Sequence, residues 1–308
     1  MNIIYTPEYN YRLGILSYLH PFDGVKFETI YTEICKDSKV KLISPSSQVS
    51  MEIIDEYLNS IMRELVRSKN CIFRALEIPK IPLVNFSFLN KKILTPMRWG
   101  VAGTILGATK ALENNDIYWN LSGGYHHAMQ QAMEGFCIYN DIGITYQQLL
   151  KKNILKSDDK VLIIDTDAHH GNGNAYSFME NRQVTILDIY NASIYPLSNY
   201  SRERVDIPVP LMPGSQGKDY LEKYGQALDK LDSDYKIAFV VAGTDTLSVD
   251  KLGRLNLEID DIAEREKMTL TALKNRGIPT VILGGGGYSK DSAKSVIKAI
   301  EACVEAGF

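Results

Sequence analysis

Short apolar runs alternate along the chain with segments in which apolar residues recur at helical spacing. The runs span residues 117–121, 161–164, 184–189, 237–241 and 280–283. The segments with helical spacing span residues 103–112, 218–231, 259–274 and 290–304. Short continuous apolar runs are typical of strands buried on both faces, as in parallel sheets covered by helices. The pattern therefore predicts an α/β fold, a doubly wound and mostly parallel sheet with helices on both faces.

The remaining segments do not indicate a second domain. Residues 32–90 combine helical and irregular stretches around Pro79 and Pro82, and we expect them to pack beside the sheet. The sequence contains no internal repeat, low-complexity tract or linker. We expect residues 1–308 to form a single catalytic domain, a size that α/β domains reach.

Composition and charge narrow the class of protein. Apolar residues make up 45% of the chain and charged residues 23%, which indicates a soluble domain with a sizeable core. The net charge of −3, with dispersed Lys and Arg, disfavours a nucleic-acid partner. No segment has the pattern of a signal peptide or the length of a membrane span. The cysteines lack any Cys-x-x-Cys pair, so we expect a cytoplasmic protein without disulfides or thiolate metal sites.

Histidines mark one edge of the predicted sheet. Four of the five occur as two adjacent pairs, His126 with His127 and His169 with His170, and each pair follows a predicted strand. In open parallel sheets, loops beyond the carboxyl ends of the strands converge and bind ligands. A single histidine is usually a surface or satisfied core residue, whereas two pairs at one edge indicate a functional site.

The loop after the run at 161–164 carries Asp165, Asp167 and His169 at alternate positions. In extended backbone these side chains point to the same side, so Asp167 and His169 can bind one metal ion. Asp245 follows the run at 237–241 and reaches the same edge, although alone it would suit a turn or a helix cap. One imidazole and two carboxylates leave a coordination position for water, as in catalytic zinc sites, and would also accept iron.

Four glycines, at positions 284 to 287, follow the last run and precede Tyr288. Their spacing does not match the Gly-x-Gly-x-x-Gly pattern of dinucleotide-binding loops. Glycines allow the backbone to approach a bound substrate closely. The Tyr288 hydroxyl could then donate a hydrogen bond to an oxyanion.

These motifs, in their order along the chain, resemble the active-site series of the histone deacetylase family. The series comprises His126-His127, Gly135-Phe136-Cys137, Asp165-x-Asp167-x-His169-His170-Gly171-x-Gly173, Gly243-x-Asp245 and Gly286-Gly287-Tyr288. Further stretches resemble class IV members in particular: His20-Pro21-Phe22-Asp23, Asp188-x-Tyr190-Asn191, Ile194-Tyr195-Pro196, Asp250 and Leu252-Gly253. Together they cover nearly the whole chain, and the resemblance implies an arginase/deacetylase-like fold.

The resemblance also implies a role for each matching residue. Asp167, His169 and Asp245 would bind Zn²⁺, or Fe²⁺, and potassium could bind near Asp165. The catalytic set would be His127 as general base oriented by Asn172, His126 held by Asp165, and Tyr288 at the oxyanion. The substrate-binding set would be Phe136, Gly135, Tyr195, Gly286 and His20, although aromatic residues at Phe136 and Tyr195 could equally serve core packing.

The implied activity is zinc-dependent hydrolysis of the amide of N-acylated lysine in a protein or peptide, by a deacetylase or a longer-chain deacylase. An amidohydrolase acting on acetylpolyamines or other acylated small amines is an alternative, and so is an acyl-lysine binding module without turnover. An arginase-like hydrolase with two metal ions is disfavoured because Asp245 is the one carboxylate at the edge of its strand. The sequence does not fix the acyl-chain length, the physiological target or the oligomeric state.

Overall fold

The computed structural model describes residues 1–14, 17 and 20–308. Eight strands form one parallel sheet in the order β2-β1-β3-β8-β7-β4-β5-β6. They are β1 (Asn2–Ile4), β2 (Lys41–Ile43), β3 (Ile117–Asn120), β4 (Val161–Asp165), β5 (Val184–Asn191), β6 (Ile207–Leu211), β7 (Ile237–Val241) and β8 (Thr280–Leu283). The five predicted runs correspond to β3, β4, β5, β7 and β8, so the predicted parallel sheet is confirmed.

Three strands were not predicted, because they lack a buried apolar run. Strand β1 has three residues, and β2 lies at one edge of the sheet with two of its three residues exposed. Strand β6 forms the other edge and contains Pro208 and Pro210. Proline removes a hydrogen-bond donor from a strand and is therefore confined to edges and bulges.

Helices cover both faces of the sheet. They are α1 (Lys26–Ile34), α2 (Met51–Tyr57), α3 (Ser60–Leu65), α4 (Lys69–Ala75), α5 (Phe86–Leu89), α6 (Thr95–Asn114), α7 (Asp141–Lys151), α8 (Asn172–Ser177), α9 (Asn199–Arg202), α10 (Gly217–Leu228), α11 (Ile259–Asn275) and α12 (Ser292–Glu305). In β4, Leu162 and Ile164 enter one core cluster, and Val161 and Ile163 enter the other. Helices α11 and α12 contribute to the first cluster, whereas α6 and α7 contribute to both. Among the described residues, no helix is both long enough and apolar enough to cross a membrane.

The register of the central strands brings the predicted site together. Asp165 at the end of β4 is paired with Val241 at the end of β7, and Val241 is paired with Leu283 at the end of β8. The loops that follow these three strands therefore begin side by side at the same edge of the sheet. They carry the predicted metal ligands and the glycine run.

Candidate active site and metal centre

Asp167, His169 and Asp245 meet beyond the ends of β4 and β7. One potential ligand atom from each lies within 4.8 Å of those of the other two. His169 Nδ1 is 2.8 Å from Asp245 Oδ2 and 3.1 Å from Asp167 Oδ1. Within the part of the chain that the structure describes, this is the one group of three His, Cys, Asp or Glu residues with such geometry.

The electrostatics of this group fit a bound cation. Burial, followed by repulsion from Asp167, raises the pKa of Asp245 to about 7. Burial opposes the charge on His169, but without an ion its hydrogen bonds to Asp167 and Asp245 raise its pKa to about 10, so a proton balances the carboxylates where a bound metal ion would replace it. Two buried carboxylates this close need a compensating positive charge. A divalent ion suits this set of two carboxylate oxygens and one imidazole nitrogen.

Backbone amides hold both carboxylates in place. Asp167 Oδ2 accepts a hydrogen bond of 2.8 Å from the N–H of Gly286, in the loop after β8. Asp245 Oδ1 accepts one of 2.8 Å from the N–H of Ala168, in the loop after β4. These bonds join the loops after β4, β7 and β8, so the position of each ligand depends on the neighbouring strand.

A buried arginine that the sequence reasoning missed lies beneath the two ligand loops. Arg265, on α11, donates hydrogen bonds to the carbonyl oxygens of Thr166 at 3.1 Å and Gly243 at 2.9 Å. Its Nε donates to Glu266 Oε1 at 2.9 Å, so the buried charge is paired. No local motif indicates this role, because Arg265 is 22 residues from Gly243 and 99 from Thr166.

The two adjacent histidines have opposite charge states. Burial disfavours the charged form of His126, but the carboxylates of Asp165 and Asp167 raise its pKa to about 9. Its Nδ1 lies 2.8 Å from Asp165 Oδ2. Burial, followed by the positive charges of His126 and His169, lowers the pKa of His127 well below its ordinary value. His127 is therefore neutral beside a protonated neighbour.

His127 is held by an amide, and the amide is held by a carboxylate. His127 Nδ1 lies 2.7 Å from Asn172 Oδ1. Asn172 Nδ2 donates to Glu134 Oε1 at 2.6 Å, a contact that the sequence reasoning missed. Gly135 backs the imidazole so closely that a Cβ there would overlap the His127 ring.

Tyr288 lies on the Gly286 side of the metal-binding group. A Cβ added at Gly286 would be 2.6 Å from Asp167 Oδ2 and 3.3 Å from the Tyr288 hydroxyl, so Gly286 separates the two side chains. Desolvation, followed by the charges of Asp167 and Asp245, raises the pKa of Tyr288, which keeps its hydroxyl a donor. Asp250 Oδ2 accepts the backbone N–H of Tyr288 at 2.7 Å and fixes the loop.

Phe136 enters the cleft from a tight turn. Gly135 and Phe136 have φ values of +54° and +67°, and this left-handed conformation is strained for phenylalanine. The backbone N–H of Phe136 is anchored to the carbonyl oxygen of Ala75 at 2.9 Å. The Phe136 ring packs edge-on against His20, with centroids 4.4 Å apart, and against Tyr288 at 5.5 Å.

Two cavities adjoin this cleft. The outer one has a volume of about 350 Å³ and reaches both His127 and His169. The inner one is smaller, with a volume of about 100 Å³. Gly135, Phe136 and Tyr288 line both. Rim residues of the outer cavity include Glu77, Tyr195, Lys251, Leu252 and Arg254. Apolar residues of the inner cavity include Phe27, Phe73, Leu76, Ile93 and Met97.

All the predicted site residues lie around this cleft. Tyr195 is at its rim, 41% exposed, with its ring centroid 5.1 Å from that of His127. His20 lines the inner cavity. The second member of the other histidine pair lies elsewhere: His170 is buried between Asp188 Oδ2 at 2.6 Å and Ser201 Oγ at 2.9 Å. That pair therefore contributes one residue to the site and one to the core.

Comparisons with known proteins agree with this arrangement. The family model described as "Histone deacetylase domain" matches residues 20–304. The chain is 32% identical to Histone deacetylase 2 of Arabidopsis thaliana over 313 residues, covering 98% of this chain and 78% of that protein. It is 25% identical to the acetoin utilization protein AcuC of Staphylococcus xylosus over 310 residues, covering 94% and 79%. The chain therefore belongs to the histone deacetylase family, whose reaction is amide hydrolysis of the deacetylase type.

Proposed function

We propose that this protein is a zinc-dependent deacylase of the class IV branch that hydrolyses the amide of N-acylated lysine in proteins or peptides. One observation carries the proposal. The neutral His127 and the protonated Tyr288 hydroxyl lie beside the same group of Asp167, His169 and Asp245, and Tyr288 lines both cavities. A binding module would need no such proton acceptor and donor.

Asp167, His169 and Asp245 would hold the zinc ion. When bound there, zinc supplies Lewis acidity that polarises the amide carbonyl and lowers the pKa of a coordinated water to about 7. The buried carboxylates, with the raised pKa of Asp245, support a cation at this place. Fe²⁺ would suit the same donor set.

His127 and Tyr288 perform the proton transfer and the charge stabilisation. His127 is neutral, and because its Nδ1 faces Asn172, its Nε2 is free to take a proton from the attacking water. Tyr288 donates a hydrogen bond to the oxyanion that forms from the amide carbonyl. His127 then returns the proton to the leaving lysine amine, which gives a carboxylate and a free amine.

The two cavities support a lysine substrate with a long acyl chain. Phe136 and Tyr195 form aromatic walls for the apolar lysine methylenes in the outer cavity. The inner cavity beside Tyr288 is lined mainly by apolar side chains, which suits the hydrocarbon of an acyl chain. At the rim Lys251 and Arg254 outnumber Glu77, and the resulting positive charge would repel a polycationic amine, which favours a peptide over an acetylpolyamine.

A buried carboxylate oxygen supports a potassium ion near Asp165. Asp188 Oδ1 is buried and has no hydrogen-bond partner among the described residues. Burial and the nearby charge of Asp188 contribute to raising the pKa of Asp165 to about 6, against the opposing charge of His126. A monovalent cation between these carboxylates would offset that repulsion.

A panel of peptides that differ only in the acyl group, from acetyl to myristoyl, tests the substrate proposal. Each buried methylene contributes about 0.8 kcal/mol, so two or three additional methylenes should raise kcat/KM by about tenfold or more. Met97→Trp, which fills the inner cavity, should lower activity on the long chain while activity on acetyl-lysine reports correct folding.

Tyr288→Phe provides the inactive control and should lower kcat by about 10²- to 10³-fold with zinc retained. Preference for an acetylated polyamine over every peptide would contradict the substrate assignment. Peptide binding without hydrolysis by the zinc-loaded protein would instead show a binding module.

A further inference from the structure

Glu134 immediately precedes the turn at Gly135 and Phe136, and the proposed reaction does not use it. Its side chain is half-buried, and its carboxylate accepts the hydrogen bond from Asn172 Nδ2 at 2.6 Å. Asn172 is itself buried, 2% exposed, and its Oδ1 faces His127 Nδ1 at 2.7 Å. The three side chains therefore form one continuous line of hydrogen bonds from the rim to the predicted general base.

The donor and acceptor capacities of these three side chains determine the direction of each hydrogen bond. An amide can present either its oxygen or its NH₂ group to a neighbour, so Asn172 alone does not determine which nitrogen of His127 carries the proton. An ionised carboxylate only accepts. Because Glu134 takes the NH₂ group, Asn172 turns its oxygen to His127, and Nδ1 must carry the proton. Nε2 is then unprotonated, as a general base requires.

The backbone holds Glu134 in register with the imidazole. The carbonyl oxygen of Glu134 accepts the N–H of Cys137 at 2.9 Å across the turn. Gly135, the next residue, packs directly against the His127 ring. The segment of Glu134 and Gly135 thus constrains the orientation of the His127 ring and also the direction of the hydrogen bond between His127 and Asn172.

We propose that Glu134 is a positioning residue that fixes the orientation of the Asn172 amide and, through it, the Nδ1–H tautomer of His127. Glu134 acts through Asn172 and thereby replaces the hydrogen-bond acceptor that an aspartate in direct contact with His127 would provide. The effect on rate rests on the proposed function, whereas the tautomer is a property of the resting protein. The tautomer can therefore be measured without turnover.

Nitrogen-15 NMR of histidine-labelled, zinc-loaded protein at mildly alkaline pH measures the tautomer, with His127→Ala used to assign the signal. In the native protein, His127 should show a protonated Nδ1 and a free Nε2. In Glu134→Leu, a substantial fraction should shift to the Nε2–H tautomer. With an active enzyme, kcat should fall by about 10- to 100-fold, with little change in KM.

Two further variants separate positioning from other roles. Glu134→Gln offers an acceptor that can also rotate and donate, so its tautomer ratio and kcat should lie between those of the native protein and Glu134→Leu. Adding Asn172→Asp to Glu134→Leu places an acceptor-only group directly on His127. This double variant should recover the Nδ1–H tautomer and most of the lost kcat.

The competing explanation is that Glu134 acts at the rim, because burial and then the charge and hydrogen bonding of Glu134 raise the pKa of the Tyr195 hydroxyl. A rim role predicts a change in KM alone and no recovery by Asn172→Asp, and either result would overturn the proposal. An unchanged tautomer in Glu134→Leu would also overturn it. If the native protein hydrolysed no acyl-lysine while the tautomer still shifted, the proposed function would fail and the positioning role would stand.

Discussion

His126 and His127 are neighbours in sequence, and their ring centroids are 4.0 Å apart, but they hold opposite charge states. Each exposes 4% of its surface, so burial does not distinguish them. Their hydrogen-bond partners account for the difference in charge. His126 faces a carboxylate, Asp165, and is protonated, whereas His127 faces an amide, Asn172, and is neutral. In the proposed mechanism, two adjacent residues of one type would thus supply a positive charge and a proton acceptor.

Replacing each histidine by alanine in turn should have the largest effect on activity and should distinguish the two roles. His127→Ala should lower kcat by about 10²- to 10⁴-fold, the typical contribution of a general base. His126→Ala should cost less, because it removes a charge rather than the group that accepts the proton. Steady-state kinetics, with zinc content as the control for an intact metal site, measures both. Equal losses in the two variants would contradict the division of roles.

Asn172→Asp gives His127 a carboxylate partner like that of His126. The effect should appear mainly in the pH dependence of kcat/KM. A carboxylate beside His127 raises the pKa of that imidazole by about 1 to 3 units. Because the base must be unprotonated, activity is lost as the pH falls through its pKa. In the native protein burial and the neighbouring positive charges hold that pKa well below its ordinary value, so the acidic limb of kcat/KM should move to higher pH in the variant. If the acidic limb of kcat/KM stayed at the same pH, a group other than His127 would determine it.

The sequence predicted the central sheet because strands buried on both faces leave uninterrupted apolar runs. It did not predict β1, β2 and β6, which are short or lie at edges, and β6 contains prolines. The predicted site residues lie in motifs at strand ends, and the parallel topology places those ends side by side. The same rule could not separate His169 from His170, because the direction of a side chain depends on the local backbone of the loop.

The residues that support the site escaped prediction for a related reason. Glu134 contacts Asn172 across 38 positions of sequence, and Arg265 contacts Thr166 across 99. Neither belongs to a local pattern, and glutamate and arginine are most often solvated surface residues. The inner cavity likewise arises where α1, α4 and α6 approach the glycine loop. Such features become visible when the fold brings distant segments together.

Metal removal tests the central claim most directly, namely that one divalent ion held by Asp167, His169 and Asp245 is required for hydrolysis. Exhaustive chelation, with elemental analysis to verify it, should abolish acyl-lysine hydrolysis, and one equivalent of zinc should restore it. Asp167→Ala should resist restoration and lose about 10³-fold or more, since several kcal/mol of charge stabilisation are removed. Full activity in folded protein shown to contain no metal would contradict the account.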